Sequence, residues 1–125
     1  MTEQAGETAT ITAVIRDYLD GMVFADAAKL RRAFDPRSFV IGYYGSVLEW
    51  SSREEFITMV EKQGSAPKGE KYYSDIVSID IVGDIASAKV VDDYRGDRYT
   101  DYLSFLKQDG EWVIVNKTYY RHPKT

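Results

Sequence analysis

The chain has 125 residues, 44% hydrophobic, 14% aromatic and 29% charged, with no cysteine, the composition of one ordinary globular domain. A single core of this size needs neither disulfide nor structural metal, and the missing cysteines remove thiolate zinc sites and cysteine nucleophiles. Sixteen Lys and Arg against 20 Asp and Glu give a net charge of −4, which repels nucleic acid and anionic membrane.

Residues 1–7 are acidic and polar and are expected to form a disordered tail. They do not read as a signal peptide, and no later apolar run reaches membrane-spanning length, so a cytoplasmic protein with one domain over 1–125 is expected. Ile11, Val14, Ile15, Tyr18, Leu19 and Met22 then share one helical face. Thr8 or Thr10 can cap that helix, and Gly21 weakens its end. Asp26 can cap a second, short helix with Ala27, Leu30, Ala33 and Phe34 inward, which Asp35-Pro36 stops. Residues 38–44 and 47–50 read as strands joined by Gly45-Ser46, a hairpin. Two overlapping Ser-x-x-Glu boxes in Ser51-Ser52-Arg53-Glu54-Glu55 open a third helix carrying Phe56, Ile57, Met59 and Val60. Four strands follow, over 71–82, 85–95, 98–107 and 111–121, separated by Gly83-Asp84, Gly96-Asp97 and Gln108-Asp109-Gly110. Helices on one side of a curved antiparallel or mixed sheet make an α+β fold.

Turn lengths set register, and register decides which side chains share a face. Two-residue loops at Gly83-Asp84 and Gly96-Asp97 and a three-residue loop ending in Gly110 place Val77, Ile79, Ile81, Ala86, Ala88, Val90, Leu103, Phe105, Val113 and Val115 on a core face. Further along, that face carries Asp75, Asp92, Asp101 and Lys117, with Tyr73, Tyr94, Tyr99 and Tyr119 around them. This is the pattern of a pocket with a polar end. Abreast, the three carboxyls repel, so at least one should titrate high or be matched by Lys117. If the strands splay, all three aspartates reach water instead. The opposite face, with Trp112, Ile114, Tyr102 and Tyr120, suits a dimer interface.

Asp17-Tyr18-Leu19-Asp20-Gly21, the run Tyr99 to Lys107, and Asp109-Gly110-Glu111-Trp112 with the downstream Asn116-Lys117 together resemble the nuclear transport factor 2-like superfamily. Within it, the likeness is to the family described as "Putative lumazine-binding", over about residues 8–121. The resemblance implies a cone-shaped α+β barrel with three helices on the concave face of the sheet. It also implies a pocket between the two, and a homodimer through the outer sheet face. The superfamily holds both enzymes and non-catalytic binding proteins, so fold alone does not decide activity. A finer similarity to ketosteroid isomerase, which is a worked example of carboxyl tuning, places that enzyme's oxyanion-hole tyrosine on Tyr18 and its oxyanion-hole acid on Asp101. The position of its base falls near Gly42, where no carboxylate stands.

The expected pocket therefore comprises Tyr18, Phe34, Tyr43, Trp50, Phe56, Asp75, Asp92, Tyr99, Asp101, Lys117 and Tyr119, with Asp101 and Lys117 as a pair. Aromatics would stack on a small aromatic or heterocyclic ligand. No glycine fingerprint, metal-ligand spacing or histidine base is present, so no cofactor or metal is expected; the one histidine, His122, follows the last strand. Three functions fit: a small-molecule-binding protein, an isomerase, dehydratase or cyclase using pocket Asp and Tyr, or a module whose exposed sheet face binds protein. The last predicts exposed Trp112, Ile114 and Tyr120.

Overall fold

A computed structural model describes residues 3–124. The elements are α1 (Glu3–Val23), α2 (Ala27–Ala33), β1 (Phe34–Tyr44), β2 (Val47–Ser52), α3 (Arg53–Gln63), β3 (Ser74–Val82), β4 (Ile85–Tyr94), β5 (Asp97–Gln108) and β6 (Glu111–Arg121). They form one six-stranded sheet in the order β2-β1-β6-β5-β4-β3. Neighbours are antiparallel except β1 and β6, which run parallel. The sheet does not close: β2 and β3 are its edges, so the architecture is an α+β cone with an open sheet. Among the described residues no helix is long and apolar enough to cross a membrane.

Local chemistry explains most element ends. Ser52 and Glu55 form a reciprocal capping box at the start of α3, and the Asp26 side chain accepts from the Lys29 N–H at the start of α2. The Thr8 and Thr10 hydroxyls instead bond back to the Gln4 and Gly6 carbonyls, because the helix starts earlier than they do. Residues 3–7, expected to be a tail, are helical, and Glu7 anchors them by accepting from Trp112 Nε1 at 2.8 Å and Lys107 Nζ at 3.1 Å. Residues 1–2 of that tail lie outside the described residues.

Three details of register differ from expectation, and each has a backbone cause. At the β4–β5 hairpin the turn is Arg95-Gly96 and not Gly96-Asp97, pairing Asp92 with Tyr99 and Val90 with Asp101. Arg95 and Gly96 both take positive φ, the requirement of a type I′ turn. The two-residue shift preserves parity, so the inward face keeps its residues. At β5–β6 the turn is the two residues Asp109-Gly110, both again at positive φ, and a bulge follows between Ser104 and Phe105 and their partners. Parity is therefore inverted before the bulge and restored after it. Trp112 and Ile114 enter the core in place of Val113 and Val115, while Lys117 and Tyr119 face inward as expected. On β3 a bulge around Val77 has the same effect: Ser74 instead of Asp75 pairs with Asp92, and both Val77 and Asp75 face solvent.

The core is built from Ile11, Ile15, Tyr18 and Leu19 of α1, Leu30 of α2, Phe56, Ile57 and Val60 of α3, and Val90, Leu103, Phe105 and Ile114 of the sheet. Gly42 on β1 pairs with Tyr119 on the parallel strand β6. A Cβ at residue 42 would lie 2.6 Å from Tyr119 Cγ and still closer to the Tyr119 carbonyl oxygen. Tyr119 therefore occupies the space that a side chain at residue 42 would need.

Replacement Gly42→Ala should cost about 1–3 kcal/mol by overpacking, read as a lowered urea midpoint with an unchanged slope. A neutral result would show that the β1–β6 backbone itself shifts to admit the methyl group, since the Tyr119 carbonyl is the closest obstacle.

Candidate functional site

Between the sheet and α3 lies a cavity of about 210 Å³. Lys117, Tyr119, Asp92, Tyr94 and Tyr99 reach it from β4, β5 and β6, while Phe56, Met59 and Gln63 come from α3. Met22, Val40, Tyr44, Glu49 and Ser51 complete the lining.

Beneath it, the Tyr18 hydroxyl donates to Asp101 Oδ2 at 2.6 Å, joining α1 to β5 inside the core. Both residues are fully buried, and Asp101 Oδ1 has no partner among the described residues. Burial and the Asp101 charge push the Tyr18 hydroxyl well above the usual phenol range, so it stays a donor.

Asp92 is 1% exposed, and neither of its carboxyl oxygens has a hydrogen-bond partner among the described residues. Asp92 stands diagonally across the β4–β5 ladder from Asp101, so the two carboxyls face one another on the inner side of the sheet. Burial first, and then the Asp101 charge, push the Asp92 carboxyl far above the usual carboxylate range, with Lys117 opposing. Asp92 therefore favours its protonated form at neutral pH, an acid at the cavity wall that can share its proton with Asp101 or donate to a bound molecule.

Lys117 is 5% exposed yet makes no ion pair among the described residues. Its Nζ lies 4.7 Å from the ring centroids of Tyr18 and Phe56, 5.2 Å from that of Tyr119, and 3.8 Å from Met22 Sδ. Three aromatic faces thus replace the missing carboxylate, each contributing on the order of 1 kcal/mol to holding a desolvated cation. Register explains why the expected pair with Asp101 is not formed. Lys117 stands opposite Leu103, and Asp101 stands opposite Tyr119.

Of the expected site residues, Phe56, Asp92, Tyr99, Lys117 and Tyr119 line the cavity. Tyr18 and Asp101 lie behind it, and Phe34 is core, packed edge-on to Tyr18 with centroids 5.5 Å apart. Tyr43, Trp50 and Asp75 are corrections to the expected pocket: all three point away from it and are exposed. Tyr43 pairs with Leu48 and Tyr120, and Trp50 with Ile41, on the outer face. Asp75 is displaced by the β3 bulge. The alternation that puts Trp50 outside puts Glu49, paired with Gly42, inside, where its Oε1 accepts from the Tyr119 hydroxyl. The two-residue Gly45-Ser46 turn, followed strictly through the hairpin, was the signal for Glu49. Met22 was legible on the inward helix face, whereas Gln63 depends on how α3 crosses the sheet.

Because Asp92 binds its proton more tightly folded than unfolded, its contribution to stability is full below about pH 4 and shrinks as pH rises through neutrality, with a slope approaching about 1.4 kcal/mol per unit. Urea denaturation at several pH values should show this fall in the parent chain, and a flatter profile in Asp92→Asn. Equal slopes would mean that Asp92 titrates as an ordinary carboxylate.

The profile of the family described as "Putative lumazine-binding" matches residues 6–120. A crystal structure of an NTF-2 like protein of unknown function from Silicibacter pomeroyi DSS-3 superposes with a TM-score of 0.90 at 33% identity, over 98% of this chain and 100% of that one. Another, from Shewanella baltica OS155, gives 0.87 at 29% identity over 99% and 100%. A curated relative, the aldolase FrzH of Cladobotryum sp, is 23% identical over 109 residues, 86% of this chain and 85% of that protein. With the cone, the half-enclosed cavity and a family match along nearly the whole chain, the protein belongs to the Putative lumazine-binding family of the nuclear transport factor 2-like fold.

Proposed function

We propose that the protein binds a small, planar, acceptor-rich heterocycle in the cavity beneath α3. The observation carrying this reading is Asp92, a buried acid that lines the cavity with Lys117 and whose oxygens accept no hydrogen bond among the described residues. A buried polar group without a partner costs about 1–3 kcal/mol, and a ligand carbonyl or ring nitrogen relieves that cost. Phe56, Tyr99 and Tyr119 offer ring faces and edges to a flat molecule. At about 210 Å³ the cavity is smaller than the usual range of about 300–1,000 Å³ for drug-sized ligands, which favours a bare fused ring over a full cofactor. The family's name supports the same class.

A second reading is acid–base catalysis with Asp92 as proton donor. Its supports are the high-titrating carboxyl inside a cavity and the curated relative named as an aldolase. No carboxylate stands at position 42, where Tyr119 fills the space, but Glu49, the partner of Gly42 on β2, brings a carboxylate to the cavity lining, already held by the Tyr119 hydroxyl.

The outer sheet face, with Phe39, Tyr43, Leu48, Trp50, Tyr102 and Tyr120 exposed, is proposed to pair with a second copy of the chain. The burial of Trp112 and Ile114 removes them from that interface and from the protein-binding module that required them exposed.

Fluorescence titration with lumazine should show saturable binding, weakened at least about tenfold by Asp92→Ala and by Lys117→Met, a loss of about 1.4 kcal/mol. No saturation with lumazine would defeat the heterocycle reading. Turnover of a carbonyl substrate that disappears in Asp92→Asn would favour the catalytic one. Light scattering should give twice the chain mass, falling to one chain in the double replacement Trp50→Asp and Tyr102→Asp; a monomeric parent would dispose of the pairing.

A further inference from the structure

The binding cavity has a neighbour. A wider depression of about 520 Å³ lies against it, lined by Val23, residues 64–67, residues 70–73, Asp93, Tyr94, Arg95 and Gly96. Chain neighbours face opposite sides of the boundary. Met22, Gln63 and Asp92 line the inner cavity, while Val23, Gly64 and Asp93 line the outer depression. Tyr94 lines both. The partition at this point is therefore one side chain thick.

Tyr94 is the last residue of β4 and is 8% exposed. Its hydroxyl donates to Gln63 Oε1 at 2.7 Å. Gln63 is the last residue of α3, and its carbonyl accepts from Arg95 Nη1 at 2.7 Å. The end of the helix and the end of the strand are thus tied together by side chains of adjacent residues, and the phenol ring is held across the gap between them. Asp92 precedes Tyr94 by two positions on the same face of β4, so whatever reaches the Asp92 carboxyl lies next to this ring.

We propose that Tyr94 is the residue that limits the size of molecule the inner cavity admits, by closing its wall against the outer depression. A compact ring is accommodated on the Asp92 side. A molecule with a substituent directed at Tyr94 is rejected, although space for that substituent exists just beyond the phenol. The size limit rests on the reading of the inner cavity as a ligand site; the partition itself does not, and it can be measured without a ligand.

The chain contains no cysteine, so a single reporter thiol can be placed at Met22, which lines the inner cavity. Met22→Cys would be treated with methyl methanethiosulfonate and, separately, with fluorescein maleimide, each rate divided by the rate on the urea-unfolded chain. With Tyr94 present, the small reagent should react on the order of 100-fold faster than the bulky one after this normalisation. Adding Tyr94→Ala should raise the bulky rate at least tenfold and leave the small rate within about twofold. Tyr94→Phe, which keeps the ring and removes the bond to Gln63, should stay close to the parent. A bulky rate that is already high with Tyr94 present, or unchanged in Tyr94→Ala, overturns the proposal. If both rates rise together in Tyr94→Ala because the chain has loosened, Tyr94→Leu replaces it under the same criteria. Failure of lumazine to bind the parent chain would defeat the heterocycle reading and leave the thiol rates to decide the partition separately.

Discussion

A hydrogen bond between two fully buried side chains, from the Tyr18 hydroxyl to the Asp101 carboxylate, fixes the geometry on which the rest of the site depends. It spans from α1 to β5, so it sets how the longest helix sits over the centre of the sheet. It also holds a carboxylate in the core, and that charge has consequences for each neighbour. Asp92, pushed up first by its burial, is raised further by that charge. Lys117 is drawn into the interior as the compensating cation, yet register keeps it from direct pairing, and the rings of Tyr18, Phe56 and Tyr119 take over its solvation. One buried bond is thereby linked to a neutral donor and a caged ammonium in the same cavity.

The sheet supplies this arrangement through its irregularities. Without the bulge on the β5–β6 ladder, the two-residue Asp109-Gly110 turn would carry Lys117 and Tyr119 to the outer face; with it, Ile114 and Lys117 both point inward although they are an odd number of residues apart. The bulge on β3 likewise inverts the parity of its strand and turns Asp75 outward, leaving Asp92 and Asp101 as the inward aspartates of the sheet. The Gly42–Tyr119 contact seats the tyrosine ring over β1 and brings its hydroxyl to Glu49, which ties the edge hairpin to the cavity rim. Each of these is a backbone feature with a functional result.

By itself the sequence determined the order of elements, the inward face of α1 with Tyr18, the caps of α2 and α3, and the polar end of the sheet with Asp92, Asp101 and Lys117 on its inner side. These follow from periodicity, capping chemistry and hairpin turns, which act over a few residues. The resemblance added the cone and the pocket between helices and sheet. Only the tertiary structure decided which of the aspartates shares the cavity with the lysine and that Trp112 and Ile114 belong to the core. The physical reason is that a bulge reverses every side chain beyond it, and neither turn signals nor alternation along one strand mark where the bulges on β3 and between β5 and β6 fall. The cage around Lys117 draws on α1, α3 and β6, and the Tyr94 partition on α3 and β4, so neither is encoded in any contiguous stretch of the chain.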